Sequence, residues 1–358
     1  MKTTALFCLT ALTAILFMVG WLLVSCSPGS NTVTAPEKEV VPIILIAGQS
    51  NSRGVGKVAD LSLSDQKLVE DLATGAIPSH LWNHSTQRFE NVKAGINTAV
   101  KNGALLNFTP ELFGVEVGLA VQTSAMNFWD QAHIIKWGKG GATLDQRYLG
   151  SHGNWSPEFS GPTAHYPFFI DQIDKALETI ESSGKVGVIQ LLIWIQGESD
   201  SRWDLGNNEG SYGEAYEENL RNFINALYSP GTFKSPQPNF SILIARIHKG
   251  LEQFANCELY ARYPGCTPFQ SVDTVALAQE TIEKEFPSVS IFDLTDLLFP
   301  ELDSVKLNTW IEDGQLTPGE TYYGDIHYVS EDLWDAMPAR IAKELVELPT
   351  FEEVPKGR

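Results

Sequence analysis

Residues 40–51 read VVPIILIAGQSN, and this stretch decides the predicted fold. The apolar run 40–47 is short and rich in β-branched residues, which predicts a strand buried on both faces of a parallel sheet. Gly48 ends the run, and a polar loop with Ser50 follows it directly. Further apolar runs predict strands at 132–137, 186–195, 240–247 and 289–292.

Segments with apolar residues at helical spacing alternate with these strands, at 114–129, 167–182, 213–227, 272–286 and 330–348. This alternation predicts the α/β class, as a three-layer α/β/α sandwich with a central parallel sheet. The ranges 60–112 and 144–165 show weak periodicity and many polar residues. We therefore expect them to be long surface insertions that wall the functional site.

The N-terminal residues 1–25 are typical of a secretory signal, with a positive charge at Lys2 and a long uncharged apolar run. The run ends in Leu23-Val24-Ser25-Cys26, which resembles a bacterial lipobox with Cys26 as the lipidated residue. We therefore predict a lipoprotein signal (1–25), a flexible tether (26–39), one domain (40–349) and a tail (350–358). An uncleaved membrane anchor is the alternative, because about 20 apolar residues can span a bilayer. Both interpretations place the domain outside the cytoplasm, in the cell envelope and facing the periplasm or on the outer membrane.

The net charge of −19 excludes nucleic acid and anionic lipid surfaces as partners. Cys257 and Cys266 bracket a turn-rich stretch, so we expect a disulfide there, with two free buried thiols as the alternative. Neither cysteine has further ligands at zinc spacing. Neither a P-loop nor a dinucleotide fingerprint follows a strand. The chemistry is therefore expected to need neither metal nor cofactor.

Polar blocks follow the first two strands of the predicted sheet. Ser50 in the first block is a candidate nucleophile, although Ser and Asn are also common helix N-caps. Gly140 and Gly141 follow the second strand, where glycine lets the backbone approach a ligand and point an N–H at it. An ordinary strand-to-loop turn is the alternative for this glycine pair.

A third block, Gln196-Gly197-Glu198-Ser199-Asp200, follows the third strand. The Gln196 amide is a candidate donor to an oxyanion, and Glu198 and Asp200 are candidates for orienting other groups. Just before the last predicted helix, Asp325 lies two residues ahead of His327. A histidine supported by a carboxylate can act as a general base. Parallel strands end at one sheet edge, so we expect these blocks to share one site.

The pattern resembles the GDSL/SGNH hydrolase superfamily, and more narrowly its sialate O-acetylesterase-like carbohydrate acetylesterases. The resemblance rests on Gly48-Gln49-Ser50-Asn51, Phe113-Gly114-Val115-Glu116-Val117-Gly118, Lys139-Gly140-Gly141-Ala142-Thr143-Leu144, Trp194-Ile195-Gln196-Gly197-Glu198-Ser199-Asp200 and Asp325-Ile326-His327-Tyr328. It implies a flavodoxin-like SGNH hydrolase fold and a carbohydrate O-acetylesterase acting on sialic acid or on plant or algal polysaccharides.

The resemblance also implies roles for individual residues. Ser50 is the nucleophile and His327 the base, and the oxyanion donors are the Ser50 N–H, a glycine N–H from Gly140 or Gly141, and the Gln196 side chain. Members of the superfamily commonly carry the acid three residues before the histidine, a position held here by Gly324. Either Asp325 or Glu198 therefore orients His327, or the Ser–His pair works without a carboxylate.

Two other functions fit the same residues less well. One is a lipid-anchored glycan-binding protein without catalysis, and the other is an esterase for non-carbohydrate esters. The complete set of nucleophile, oxyanion donors and base favours the enzyme. Four tryptophans of the loop regions are candidates for stacking on sugar rings, although core packing is the commoner use: Trp82, Trp137, Trp155 and Trp203.

Overall fold

The computed structural model describes residues 38–54, 56–98, 112–126, 131–148, 150–202, 212–248, 251, 269, 271–295, 297 and 332–347. The chain divides into two compact units, Met1–Lys38 and Glu39–Arg358, and the elements below all belong to the second unit. The predicted signal segment, Cys26 and the tail 350–358 lie outside the described residues. Within those residues, no helix has the length and apolar character that crossing a bilayer requires.

A seven-stranded sheet forms the middle layer. Its order is β4-β3-β6-β1-β7-β8-β9, and only the β3–β4 pair is antiparallel. The strands are β1 (Val40–Gly48), β2 (Gly56–Lys57), β3 (Ser79–Asn83), β4 (Arg88–Asn91), β5 (Leu112–Phe113), β6 (Ala132–Gly138), β7 (Val186–Ile195), β8 (Ser241–Ala245) and β9 (Val289–Phe292). The short β2 and β5 pair separately, in antiparallel orientation.

The apolar run that predicted β1 is buried from its second residue to its last. Alternate residues contribute to two different cores: Ile43 and Leu45 pack on one face of the sheet, and Ile44 and Ile46 on the other. A strand covered on both faces has to be apolar throughout, which explains the absence of hydrophilic alternation in its sequence.

Helices cover both faces of the sheet. The helices are α1 (Ser50–Arg53), α2 (Leu63–Thr74), α3 (Val115–Ala125), α4 (His165–Ser182), α5 (Tyr216–Tyr228), α6 (Val272–Glu285) and α7 (Met337–Glu347), the last preceded by a π-helical turn, Asp332–Ala336. Buried residues of α4, α5 and α6 join the core that contains Ile43, whereas those of α2, α3 and α7 join the core that contains Ile44. The layers confirm the predicted three-layer α/β/α sandwich. In the flavodoxin arrangement, the second parallel strand of the chain lies beside the first. Here the second parallel strand, β3, is separated from β1 by β6, so the strand order is a variant of that arrangement.

The range 60–112 is not the surface insertion that its weak periodicity predicted. Its described part contains α2 and two strands of the main sheet, β3 and β4. Local signals start and stop α2: the Ser62 hydroxyl accepts a hydrogen bond from the Asp65 N–H at 3.2 Å, and Gly75 ends the helix in the left-handed conformation. The two strands escaped prediction because polar residues such as His80 and Arg88 interrupt the apolar pattern by which the other strands were predicted.

Candidate active site

Ser50 lies where β1 ends, at the carboxyl edge of the sheet. Gly48 has a φ of +137°, and a Cβ there would overlap the Ile195 carbonyl, so this position requires glycine. The Gln49 N–H donates to the Ile195 carbonyl at 3.0 Å, and α1 then begins at Ser50. Gln49 is the N-cap residue of α1, so the alternative interpretation of Ser50 as a helix cap is wrong. Ser50 is buried, with 6% of its surface exposed.

Side-chain hydrogen bonds join the Ser50 loop to the loop that follows β7. The Asn51 amide donates to Glu198 Oε1 at 2.6 Å, and the Ser199 N–H donates to Gln49 Oε1 at 3.1 Å. Burial raises the pKa of Glu198, and its Oε2 has no hydrogen-bond partner among the described residues. The structure thus brings Glu198 next to the Ser50 loop, where it holds Asn51.

The glycine pair forms a turn beside Ser50. The Ala142 N–H donates to the Lys139 carbonyl at 3.1 Å, and Gly141 has a φ of +77°, the conformation that the third residue of a type II turn requires. A methyl group on Gly140 would lie 3.5 Å from Ser50 Cβ. The turn therefore lies close to the serine, as the shared sheet edge predicts.

Gln196 reaches the same turn from the end of β7. Its amide nitrogen donates to the Ala142 carbonyl at 3.3 Å and to Asp200 Oδ2. A glutamine amide has two N–H groups, so both have acceptors in this arrangement. Asp200 is fully buried, and burial raises its pKa to about 7. Its two oxygens also accept from the Leu144 N–H, each at 3.0 Å.

Positive charge collects around Ser50, although the chain as a whole is strongly acidic. Arg53 Nη1 would lie 3.5 Å from a methyl group on Gly140. Burial and then the charge of Arg53 lower the pKa of Lys139. Burial, followed by the charges of Lys139, Arg202 and Arg53, also lowers the pKa of His152. Arg53 and Lys139 adjoin the predicted site residues, but no role was predicted for them or for His152, because none of the three stands beside an acid in the sequence.

A buried ion pair supports α1 from below. Lys136 Nζ lies 2.7 Å from Glu116 Oε1, and neither side chain is exposed. The same ammonium donates to the Arg53 carbonyl at the end of α1, at 2.9 Å. Glu116 Oε1 also accepts from the Gly114 N–H at 3.1 Å. Lys136 was predicted only as part of a strand, since nothing in the sequence shows that its ammonium turns inward.

Two of the four tryptophans considered for sugar stacking belong to the core. Trp82 and Trp155 are both fully buried. Trp155 Nε1 donates to the Gly48 carbonyl at 2.9 Å, so this indole fixes the end of β1. Trp137 is half-buried and packs on Phe168, with ring centroids 4.4 Å apart. Trp203 lies outside the described residues.

Several other predicted residues also lie outside the described ranges: His327, Asp325, Cys257 and Cys266. The structure therefore brings together Ser50, Gly140, Gly141, Gln196 and Glu198, and their relation to the expected base stays a prediction. In the part of the chain that the structure describes, no group of three or more His, Cys, Asp or Glu side chains is arranged to hold a metal ion.

Two solved structures with TM-scores above 0.5 support the fold. A protein from Arabidopsis thaliana matches with a TM-score of 0.52 and 15% identity, over 86% of this chain and 98% of that chain. NanS matches with a TM-score of 0.52 and 11% identity, over 87% of this chain and 98% of its own. A carbohydrate acetylesterase from Xanthomonas citri matches with a TM-score of 0.46 and 14% identity, over 87% of this chain and 57% of that chain.

The search of curated proteins finds no match. A protein-family model described as "Carbohydrate esterase, sialic acid-specific acetylesterase" matches residues 40–279, well over half of the chain. That range includes Ser50, the glycine turn and Gln196, so it covers the whole described site. The resemblance seen in the sequence motifs is thereby confirmed. The chain belongs to the carbohydrate esterase family of sialic acid-specific acetylesterases and is a carboxylic ester hydrolase.

Proposed function

We propose that this protein removes O-acetyl groups from carbohydrates through an acyl-serine intermediate on Ser50. The observation that carries the proposal is the position of Ser50, at the end of β1 and close to the Gly140–Gly141 turn. A nucleophile needs oxyanion donors within reach of the carbonyl that it attacks; because Ser50 begins α1 and lies close to the turn, backbone N–H groups of both are the candidate donors.

In the proposed reaction, the Ser50 hydroxyl attacks the acetyl carbonyl while His327 accepts its proton. The tetrahedral oxyanion is held by the Ser50 N–H, by a glycine N–H of the turn and by Gln196. His327 then protonates the leaving sugar oxygen, and a water molecule releases acetate from the serine by the same route. Each oxyanion donor of this kind contributes about 3 kcal/mol to transition-state stabilisation.

Asp325 and Glu198 remain the two candidates for orienting His327. Glu198 has a buried oxygen without a partner in the described ranges, which suits it to accept an imidazole N–H. Asp325→Asn and Glu198→Gln, made separately, distinguish the two: the variant that lacks the orienting acid loses more than tenfold in kcat. Losses below tenfold in both would show that the Ser–His pair works without a carboxylate.

The positive charge near Ser50 favours an acetylated sugar that carries a carboxylate, such as a sialic or uronic acid. Arg53 and Lys139 lie beside the glycine turn, and attraction to a substrate anion is strengthened where charges are partly removed from water. We expect Arg53→Gln to raise KM for an acetylated acidic sugar at least tenfold more than for acetylated xylan. Equal increases in KM for the two substrates would instead favour a neutral substrate.

The nucleophile is tested by hydrolysis of 4-nitrophenyl acetate and of acetylated polysaccharides by the protein from residue 39 onward. Ser50→Ala should abolish both activities. Ser52→Ala is the matched control in the same helix, since its hydroxyl donates only to the Gln49 carbonyl at 2.7 Å, and it should keep activity within tenfold. Retained activity in Ser50→Ala would refute the nucleophile. An inactive wild type that still binds acetylated glycan would identify a binding protein instead.

We further propose that the protein is exported and anchored by a lipid on Cys26, which follows an apolar segment typical of a signal. The full chain, expressed in a Gram-negative host, should carry a diacylglycerol-modified cysteine detectable by mass spectrometry and should fractionate with membranes. Cys26→Ser should lose the modification. A wild-type chain that keeps residues 1–25 would instead support the membrane-anchor alternative.

A further inference from the structure

Asp200 connects the two loops that carry the candidate oxyanion donors. It lies in the loop after β7, and its carboxylate accepts from the Leu144 N–H in the loop after β6. The same carboxylate accepts from the Gln196 amide nitrogen. One buried side chain therefore holds both loops at once, although the proposed acyl transfer gives it no part.

The Asp200 charge determines which way the Gln196 amide faces. An amide presents an oxygen on one side and a nitrogen on the other, and a carboxylate attracts the nitrogen and repels the oxygen. The Gln196 backbone carbonyl is held separately, because it accepts from the Tyr216 hydroxyl at 3.1 Å and from the Gln279 amide at 3.3 Å. Only the side chain of Gln196 is thus left to turn, and Gln196 Oε1 has no partner within the described ranges.

The nitrogen that Asp200 selects points to the glycine turn. Its second N–H donates to the Ala142 carbonyl at 3.3 Å, a long bond at the residue that follows Gly141. A negatively charged acyl oxygen at Ser50 is a stronger acceptor than a neutral carbonyl, because charge-assisted hydrogen bonds are about twice as strong as neutral ones. The oxyanion can therefore take over the N–H that the Ala142 carbonyl holds in the free enzyme.

We infer that Asp200 is a positioning residue that keeps the Gln196 N–H and the glycine turn aligned for the oxyanion. This inference rests on the proposed esterase function and adds a residue to it. Asp200 acts through Gln196 and Leu144 and does not touch the reacting atoms.

A purely structural role would not require the negative charge. A buried carboxylate is costly without a cationic partner, and among the described residues no Lys or Arg forms a salt bridge with Asp200. Burial, and to a smaller degree the nearby Asp145 carboxylate, which pairs with Arg147, raise the pKa of Asp200 to about 7, against the hydrogen bonds from Gln196 and Leu144 that lower it. The Tyr216 hydroxyl is a further titratable group close to Asp200. An asparagine would satisfy Leu144 without the charge, but it would turn the Gln196 oxygen toward itself.

The test compares Asp200→Asn with the wild type in 4-nitrophenyl acetate hydrolysis between pH 5.5 and 8.5. At pH 8.5 we expect kcat to fall by about 10- to 100-fold with KM changed less than twofold, since one oxyanion donor is misaligned. The ratio of the two kcat values should then shrink toward one as the pH falls through about 7, because protonated Asp200 and asparagine are both neutral. Titration of other groups, such as His327, cancels in this ratio.

Asp174→Asn is the matched control, because Asp174 is also buried, has a raised pKa and accepts a backbone N–H, from Lys234 at 2.9 Å, away from the site. It should keep kcat within twofold at every pH. If Asp200→Asn does not fold, Gln196→Met takes its place in the test, because it removes the amide that Asp200 positions. The ratio of wild-type to Gln196→Met kcat should show the same pH dependence.

The inference would be overturned, and the proposed function left intact, if the ratio of wild-type to Asp200→Asn kcat did not change with pH. A kcat of Asp200→Asn within twofold of the wild type at pH 8.5 would have the same consequence. A wild type that hydrolyses no ester would overturn the proposed function and this inference with it.

Discussion

The buried pair of Lys136 and Glu116 lends itself to a quantitative test, because both side chains are fully buried and 2.7 Å apart. Lys136→Met keeps a similar shape and removes the ammonium. Glu116 then keeps only the Gly114 N–H as a donor to Oε1, and the Arg53 carbonyl loses the donor at 2.9 Å. Breaking a buried pair by removing one partner costs about 3–5 kcal/mol, because the other charge stays buried without compensation.

We therefore expect Lys136→Met to lower the free energy of unfolding by about 3–5 kcal/mol and the melting temperature by about 10 °C. Urea denaturation followed by tryptophan fluorescence measures the first value, and calorimetry the second. Because Lys136 holds the end of α1, the variant should also lose esterase activity below its melting temperature.

A double-mutant cycle separates the pair from general packing. Lys136→Met combined with Glu116→Gln removes both charges, so the double variant should be more stable than the sum of the two single losses predicts. The expected coupling is about 2–3 kcal/mol, at the upper end for residues in contact. A coupling below about 0.5 kcal/mol, or a loss below about 1 kcal/mol for Lys136→Met alone, would refute the reasoning.

Three further predictions concern the same region. Burial lowers the pKa of His165 to about 4, and protonation would set its Nδ1 against the Trp137 N–H, from which it now accepts at 3.3 Å. The contribution of His165 to stability is therefore complete above about pH 6.5 and is lost as the pH falls toward 4, by up to about 3 kcal/mol. Urea titrations at each pH should show this loss in the wild type and not in His165→Gln. Gly48→Ala should prevent soluble expression, because its Cβ would overlap the Ile195 carbonyl. Gly184 has a φ of +85° and open space around it, so Gly184→Ala should lower the free energy of unfolding by only about 1–3 kcal/mol. Equal soluble yields of the two variants would contradict the steric argument. Trp155→Phe removes the indole N–H and leaves the Gly48 carbonyl with the Lys139 N–H at 3.2 Å. Thermal melting should show a loss of about 1–3 kcal/mol in the free energy of unfolding, and kcat should fall. An unchanged kcat would show that this indole does not fix the end of β1.

Strands of the main sheet that are mostly apolar could be predicted from the sequence, and those that are mostly polar could not. The predicted strands 186–195 and 289–292 coincide with β7 and β9, because each is a continuous apolar run with clear ends. In contrast, β4 is an edge strand and β3 is its neighbour, and both contain polar residues such as His80 and Arg88, so neither shows a continuous apolar run. Partner strands distant in sequence determine the place of such segments, so local periodicity carries little information about them.

The same distinction applies to the candidate site. Ser50, the glycine pair and Gln196 were predictable because each directly follows a buried strand at the same edge. The buried carboxylate contacts of Asp200 were not, because they depend on how two loops lie against each other. The ammonium of Lys136 is a further example. Its strand was predicted, but the inward direction of its side chain depends on Glu116, which lies in helix α3.

The central position of β1 has a consequence for how the chain folds. Ile43 pairs with His133 on one side and with Ile189 on the other, so the first strand of the domain acquires its neighbours only after a long stretch of chain has been added. Such distant pairing makes folding slow and leaves apolar strands exposed in the meantime. Until β7 is available, one side of the strand that will present Ser50 stays unpaired and prone to aggregation, so fragments that end before residue 186 should need a chaperone to stay soluble.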